Sequence, residues 1–126
     1  MNSYKIVIDG RLPALNDYIR ACRGNKYAAN AFKRRTQQLI WLAAKSQYTR
    51  STPVYRAFVI FHFYEPNMRR DPDNVSGYGR KAILDGLVEC GVLAGDRWKN
   101  IAGLQDDFQV DSKHPRIEVE ILEVEP

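Results

Sequence analysis

The sequence predicts a single α+β domain with a mixed β-sheet of about four strands and two main helices, in the order β-α-β-α-β-β. Segments 4–8 and 116–124 alternate apolar, mostly β-branched residues with polar ones, as half-buried strands do. Segment 54–64 is almost continuously apolar or aromatic, which is typical of a strand inside a sheet. Two stretches with helical spacing of apolar residues, 27–47 and 75–90, separate these strands.

Length and composition favour one globular domain that spans residues 1–126. The chain is 44% hydrophobic and 27% charged, which is ordinary for a soluble protein and too apolar for a disordered one. No apolar run approaches the ~20 residues of a membrane span, and Asp9 interrupts the N-terminal segment MNSYKIVIDG, where a signal peptide would be apolar. We therefore expect a cytoplasmic protein without a membrane partner. Cys22 and Cys90 lack neighbouring metal ligands and are expected to stay reduced.

The first half of the chain contains the first strand and the longest helix. Asp9 and Gly10 end the strand, and Pro13 opposes its continuation, so residues 12–18 are expected to form a loop or one short helical turn. Residues 19–25 look like a basic connector. The long helix follows at 27–47, with its apolar stripe on one side and three consecutive basic residues on the other.

The second helix, 75–90, carries glycines near its start. Gly77 and Gly79 weaken that end, so regular helix is expected to begin only near residues 78–81. Gly91 is well placed to end the helix as a left-handed cap. Residues 99–109 are expected to be partly extended.

Charge is unevenly distributed along the chain. Residues 1–50 carry ten Lys or Arg and two acids, a net 10 − 2 = +8, whereas residues 51–126 carry nine and thirteen, a net 9 − 13 = −4. This asymmetry fits a phosphate-binding surface beside a carboxylate site, and it equally fits two differently charged solvated faces. The candidate DNA contacts are Arg20, Arg23, Lys26, Lys33, Arg34, Arg35, Arg69, Arg70 and Arg80.

Three aspartates are the candidate metal ligands and catalytic residues. Pro72 disfavours the α region for Asp71, and in an extended segment Asp71 and Asp73 would face one ion together. Asp96 follows the second helix as a third acid. Carboxylates without nearby Cys or His favour a hard ion such as Mg2+, or Mn2+, over zinc. The alternative is ordinary turn and helix-capping chemistry, since Asp, Asn and Pro are turn residues.

The order of these residues resembles the RusA family of Holliday junction resolvases, which are small endonucleases encoded by phages and prophages. The resemblance rests on three runs: Arg69-Arg70-Asp71-Pro72-Asp73-Asn74, Lys81-Ala82-Ile83-Leu84-Asp85-Gly86-Leu87, and Gly91-Val92-Leu93-Ala94-Gly95-Asp96. The early segment 13–18 and the closing strand are also similar. Two departures are a longer gap between Asn74 and Lys81, by about one helical turn, and Gly95 in place of the first residue of an acid pair.

The resemblance implies a Mg2+-dependent homodimer that cuts a four-way DNA junction by paired symmetric nicks, in recombination and repair. It assigns the metal to Asp71, Asp73 and Asp96 and an essential catalytic role to Lys81. Arg80 is the alternative basic partner, and Asp85 is expected to have a structural role, either a buried polar contact or a pair with Lys81 one helical turn earlier. Two other functions remain open: a DNA-binding accessory protein without catalysis, and a metal-dependent nuclease that acts on other branched DNA.

Overall fold

A computed structural model describes residues 2–125 as four strands and three helices. The strands are β1 (Ser3–Asp9), β2 (Ala57–Glu65), β3 (Ile101–Val110) and β4 (Arg116–Glu123), and the helices are α1 (Leu15–Gly24), α2 (Lys26–Gln47) and α3 (Pro72–Glu89). The α+β class and the predicted order of strands and main helices are confirmed. The additional element is α1, which replaces the expected loop and basic connector.

Helix α1 forms because one local contact and two contacts with α3 hold its first turn. The Asp17 carboxylate accepts a hydrogen bond from the Ala14 backbone N–H at 3.0 Å, and the Asn74 side-chain oxygen accepts one from the Asn16 backbone N–H at 3.0 Å. The Tyr18 ring stacks on Tyr78 of α3 with 4.6 Å between centroids. The second and third of these contacts are tertiary, so local sequence patterns do not reveal them.

The sheet has the order β1-β4-β2-β3. Strand β4 runs antiparallel to both neighbours, whereas β2 and β3 are parallel and are connected through α3. Strand β2 is therefore interior, as its apolar sequence predicts. Because β2 and β3 are parallel, the segments that follow them meet at one end of the sheet, and those that precede them meet at the other.

Helices α2 and α3 pack on one face of the sheet with the core between them, and α1 packs against these two helices. On β2, alternate residues from Ala57 to Glu65 are buried, and on β4 the buried residues are Ile117, Val119 and Ile121. Ile40 of α2 and Ile83 and Leu87 of α3 close the core from the helix side. No helix among residues 2–125 is both long and apolar enough to cross a membrane.

Helix α3 begins at Pro72, three residues before the predicted start, and its glycines do not delay it. Proline suits the first helical position, where its missing N–H is not needed. A Cβ on Gly77 would lie 3.0 Å from Leu15 Cδ2, and one on Gly86 would lie 2.6 Å from Ile40 Cγ2. Both glycines therefore allow neighbouring helices to approach closely. Gly91 has φ +85° and ends the helix as predicted, with the Val92 N–H donating to the Leu87 carbonyl at 2.9 Å.

Candidate active site and nucleic-acid interface

Asp71 and Asp73 lie at the N-terminus of α3, just beyond the carboxyl end of β2. Asp71 is extended, with φ −65° and ψ 148°, as the following proline predicts, and it is the N-cap of the helix. Asp73 is already helical, so the expectation that the two side chains share one side of an extended segment is wrong. Both residues are exposed, and the Asp71 side chain makes no capping hydrogen bond. The helix dipole favours carboxylates at this position, which lowers the cost of placing two of them together.

The turn that carries these aspartates is fixed against the start of α1. Arg70 donates to the Leu12 carbonyl at 3.2 Å and lies 3.5 Å from the Asp17 carboxylate, while Asn74 accepts the Asn16 N–H described above. The neighbouring Arg69 is exposed, and its backbone N–H donates to the Asn67 side chain at 3.0 Å. The position of Asp71 is therefore set by tertiary contacts on both sides of it.

Asp96 lies at the other end of the sheet. Residues 92–94 pair with Val54, just before β2, through hydrogen bonds of 2.8 Å from the Val54 N–H to the Val92 carbonyl and 2.9 Å from the Ala94 N–H to the Val54 carbonyl. Asp96 follows there, whereas Asp71 follows the far end of β2. With nine residues in β2, the two ends are about 26 Å apart at ~3.3 Å per residue. Within residues 2–125, no three His, Cys, Asp or Glu side chains are grouped closely enough to hold a metal ion.

The turn around Asp96 also explains why Gly95 replaces an acid. A Cβ on Gly95 would collide with the Asn100 side chain. Asn100 is buried, and its amide nitrogen donates to the Tyr55 carbonyl at 2.8 Å. This contact closes the turn and leaves Asp96 exposed.

Lys81 and Arg80 lie on different faces of α3. Residues seven apart are separated by about two helical turns and lie on the same side of a helix. Lys81 therefore lies on the side of Asn74, facing α1, whereas Arg80 lies on the side of Asp73. Lys81 Nζ lies 3.2 Å from Asp85 Oδ1, which confirms the predicted pair, and its side chain is 71% exposed. Lys81 follows Asp73 by eight residues, which places it about 12 Å further along the helix axis.

Arg80 is bound to the sheet. Its guanidinium donates to Asp106 of β3 at 3.0 Å. Burial raises the pKa of Asp106, and the positive charge of Arg80 opposes that effect. The two basic residues therefore differ in their partners: Arg80 pairs with the largely buried Asp106 of the sheet, whereas the exposed Lys81 pairs with the half-buried Asp85 of its own helix.

A basic groove lies between α1 and α2. It has a volume of about 790 Å³ and contains four arginines, of which Arg20, Arg35 and Arg70 are predicted DNA contacts. Arg11 is the fourth, and the sequence analysis did not identify it. Among the residues that the structure describes, Asp17 is the only acidic one that lines this groove. Part of the positive charge of the N-terminal half of the chain therefore lies along this one groove.

The basic triplet on α2 does not form one surface, because consecutive helical residues point about 100° apart. Arg35 lines the basic groove, Lys33 lies over the Tyr18 ring at 5.5 Å, and Arg34 lines a separate cavity with Trp41 and Glu89. Of these three predicted DNA contacts, Arg35 lines the basic groove and Lys33 and Arg34 do not, and contact of any of them with DNA stays a prediction. Arg23 and Lys26 are exposed at the junction of α1 and α2 and do not line it.

A second groove, of about 530 Å³, contains Asp71. Its other walls are the carboxyl ends of β2 and β3 and the segment between β2 and α3, with Glu65, Met68, Phe108 and Val110 among the lining residues. Sequence reasoning missed Glu65, which is buried and is bound by Arg11 Nη2 at 2.6 Å. Arg70 lines both grooves, so the basic groove and the carboxylate groove meet at one residue.

His62 lies away from both grooves, on the sheet face that carries no helix. It contacts Asp107 at 2.6 Å through Nδ1 and Glu120 at 2.7 Å through Nε2. These two contacts connect His62 of β2 to β3 on one side and to β4 on the other.

Neither a comparison with models of known protein families nor a search of curated proteins gives a match to this chain.

Proposed function

We propose that this protein is a Mg2+-dependent endodeoxyribonuclease of the RusA type, which resolves four-way DNA junctions in the cytoplasm. The observation that carries the proposal is the position of Arg70 at the meeting point of the two grooves. A DNA strand bound in the basic groove would pass directly beside Asp71 and Asp73. Arginines suit phosphate recognition because the planar guanidinium makes paired hydrogen bonds to phosphate oxygens.

The donor set at the start of α3 fits a hard divalent cation. Asp71 and Asp73 offer carboxylate oxygens without Cys or His, and both side chains are exposed to an approaching phosphate. Bound Mg2+ would supply an activated water and neutralise charge on the phosphate oxygens. In this proposal Arg70, Arg35 and Arg20 hold the flanking phosphates, and Lys81 stabilises negative charge near the scissile one.

Asp96 can join this site only from a second copy of the chain. Within one chain it lies at the opposite end of the sheet, so a set of three aspartates requires a homodimer with two composite sites. Two sites also suit a junction, where paired cuts are needed on two strands. We therefore propose that Asp71 and Asp73 of one copy act with Asp96 of the partner subunit.

The test is cleavage of synthetic four-way junctions, flaps and linear duplexes at one fixed salt concentration, with Mg2+, Mn2+ or a chelator. Fixed salt matters because non-specific phosphate binding is strongly salt-dependent. We expect paired nicks in the junction with either metal. Asp71→Asn, Asp73→Asn and Asp96→Asn should each abolish cleavage and leave junction binding equal or tighter, because each removes a negative charge near phosphate.

The matched control is Glu125→Gln, which removes an exposed carboxylate outside the strands and helices and should cleave normally. Normal metal-dependent turnover in the three aspartate variants would eliminate the metal-ligand assignment. Equal cutting of flaps or linear duplex would favour the broader nuclease function over junction resolution.

One observation favours a second candidate, a DNA-binding protein without catalysis. A single chain brings only two of the three aspartates together, and Asp71 and Asp73 also serve as ordinary residues of a helix N-terminus. This candidate predicts junction binding through the basic groove with no nicks in Mg2+ or Mn2+. The same cleavage assay therefore separates the two functions.

A further inference from the structure

Arg11 and Glu65 form an ion pair between the two grooves described above. Arg11 Nη2 donates to Glu65 Oε1 at 2.6 Å, and Arg11 Nε donates to Glu65 Oε2 at 3.3 Å. Arg11 lines the basic groove and not the carboxylate groove, whereas Glu65 lines the carboxylate groove and not the basic one. The pair therefore joins the candidate phosphate surface to the groove that contains Asp71.

Strand register brings these two side chains together. Asp9 of β1 and Tyr64 of β2 both lie opposite Arg116 of β4, one on each side of that strand. Arg11 follows the end of β1 by two residues, and Glu65 is the last residue of β2. Both residues consequently lie at the same end of the sheet, although they are far apart in sequence.

The two members of the pair differ in burial and in remaining hydrogen-bonding capacity. The Glu65 side chain is 12% exposed and the Arg11 side chain is 31% exposed. Within residues 2–125, Arg11 is the only ion-pair partner of Glu65. Arg11 Nη1 donates to no group in the same part of the chain, and a guanidinium carries five N–H donors. This nitrogen is therefore free to donate to an anion in the basic groove.

We propose that Arg11 and Glu65 are positioning residues that couple divalent-cation binding beside Asp71 to phosphate binding in the basic groove. In the free protein, each charge of the pair is largely neutralised by the other. When phosphate attracts the Arg11 guanidinium, the Glu65 carboxylate loses part of its compensating charge and draws a cation into its own groove. When a cation lies near Glu65, Arg11 is released to phosphate in the same way, since coupling between two sites is reciprocal.

The burial of Glu65 makes this coupling effective. Charges interact more strongly where water is excluded, and a buried carboxylate without a positive partner is costly. Glu65 therefore requires a second cation when Arg11 turns to phosphate, whereas the exposed Asp71 and Asp73 carry no such requirement. This role of Glu65 is electrostatic and does not need a cluster of three ligands, in keeping with the absence of one within residues 2–125.

The inference rests on the proposed function for the identity of the two ligands, which are DNA phosphate and a divalent cation. It adds two residues that the sequence analysis did not identify. It is measured by binding alone, so its outcome does not depend on cleavage.

The first test compares the affinity for a four-way junction in EDTA and in Ca2+, an oxygen-binding cation like Mg2+. Fluorescence anisotropy at one salt concentration gives both affinities, and a gel verifies that the junction stays intact. We expect Ca2+ to tighten binding to the wild type by about fivefold or more, the lower end of usual coupling factors. Glu65→Gln should bind more tightly than the wild type in EDTA, because it no longer holds Arg11, and should gain less from Ca2+.

The matched control for this test is Glu118→Gln. The Glu118 side chain is also 12% exposed and is also bound by an arginine, Arg116, at 2.6 Å. Glu118 lies on β4 and lines neither groove. Its variant should therefore match the wild type in EDTA and in Ca2+.

The second test measures Mn2+ binding to the protein without DNA by electron paramagnetic resonance. Arg11→Gln should tighten Mn2+ binding by about fivefold or more, because Glu65 loses the positive group that competes with the ion. Arg50→Gln is the control and should not change Mn2+ affinity. Arg50 has the same exposure, 32%, and pairs with Glu123 outside both grooves.

A double variant, Arg11→Gln with Glu65→Gln, guards against misfolding, because it leaves no buried charge without a partner. Its circular dichroism should match the wild type. It should show the reduced Ca2+ effect of Glu65→Gln, and it should lack the tighter Mn2+ binding of Arg11→Gln.

The outcomes for coupling and for function are separable. Equal Ca2+ effects in the wild type and Glu65→Gln, or equal Mn2+ affinities of Arg11→Gln and Arg50→Gln, would overturn the coupling. Coupled binding without nicks keeps the coupling and removes the nuclease proposal. Metal-dependent junction cleavage with no coupling does the reverse, and a protein that binds neither Mn2+ nor junctions removes both.

Discussion

At the scale of single residues, what a basic side chain can do is decided by the partner it already has. Arg11 is bound to Glu65 and Arg80 to Asp106, and in each pair the carboxylate is largely buried. Arg35 lines the basic groove, and no ion pair within residues 2–125 engages it. The arginines that look equivalent in the sequence therefore differ in their availability to phosphate.

Arg35→Ala is expected to weaken DNA binding and to reduce the slope of log affinity against log salt by about one, because one phosphate contact is lost. Arg34→Ala is the matched control: it removes the same charge one residue earlier on α2, from a side chain that lines a different cavity. Titrations at several salt concentrations measure both slopes. Equal slopes for the two variants would show that the groove does not direct binding.

At the scale of elements, α3 connects the site to the core. Its first residues carry Asp71 and Asp73, and its glycines let α1 and α2 approach closely. The glycines appear as helix-weakening residues in the sequence, yet the helix is regular through them. Close packing against Leu15 and Ile40 compensates for the helix propensity that is lost.

Gly86→Ala is expected to destabilise the protein by about 1–3 kcal/mol, although alanine favours helix, because the new Cβ overpacks the core against Ile40. Gly24→Ala, at the end of α1, is the control: its Cβ would meet Ala28 at 4.0 Å, an ordinary contact. Equilibrium urea unfolding measures both free energies. If Gly86→Ala were as stable as Gly24→Ala, the close approach of α2 and α3 would be refuted.

At the scale of the whole molecule, the parallel pairing of β2 and β3 decides which groups can meet. The segments that carry Asp71 and Asp96 leave opposite ends of this strand pair. Rotation of the Asp71 and Asp96 side chains cannot close the distance between the two ends of β2, which is about 26 Å. A site with all three aspartates is consequently a property of an assembly rather than of one chain.

Mixing two inactive variants tests this composite site. In a dimer of one Asp71→Asn chain and one Asp96→Asn chain, both substitutions fall in one site and the other site is intact, so single-strand nicking should reappear after subunit exchange. A mixture of Asp71→Asn and Asp73→Asn should stay inactive, because each substitution damages a different site. Gel analysis of nicked junctions distinguishes these outcomes, and no recovery in the first mixture would contradict a site shared between copies.

Local sequence patterns were enough to predict the α+β class, the interior position of β2 and the end of α3 at Gly91, and they gave the pair Lys81–Asp85 as one of two possible roles of Asp85. Each of these depends on local periodicity, local backbone preference or one helical turn, which neighbouring residues encode directly. The same local reasoning grouped Lys33, Arg34 and Arg35 and placed Asp71 and Asp73 in one extended segment. The extended arrangement of Asp71 and Asp73 is wrong because Asp73 is already helical, and the three basic residues line different surfaces because consecutive helical residues point about 100° apart.

The existence of α1, the meeting of two grooves at Arg70 and the separation of Asp96 from Asp71 could not be predicted from local patterns. These features depend on contacts between residues about forty to sixty positions apart, such as Val54 with Leu93 and Asn16 with Asn74. Strand pairing and direction fix where the ends of distant segments lie, and the sequence within a segment does not specify its neighbour. Local sequence thus identifies the residue types of the candidate site, whereas long-range packing sets the distances between them.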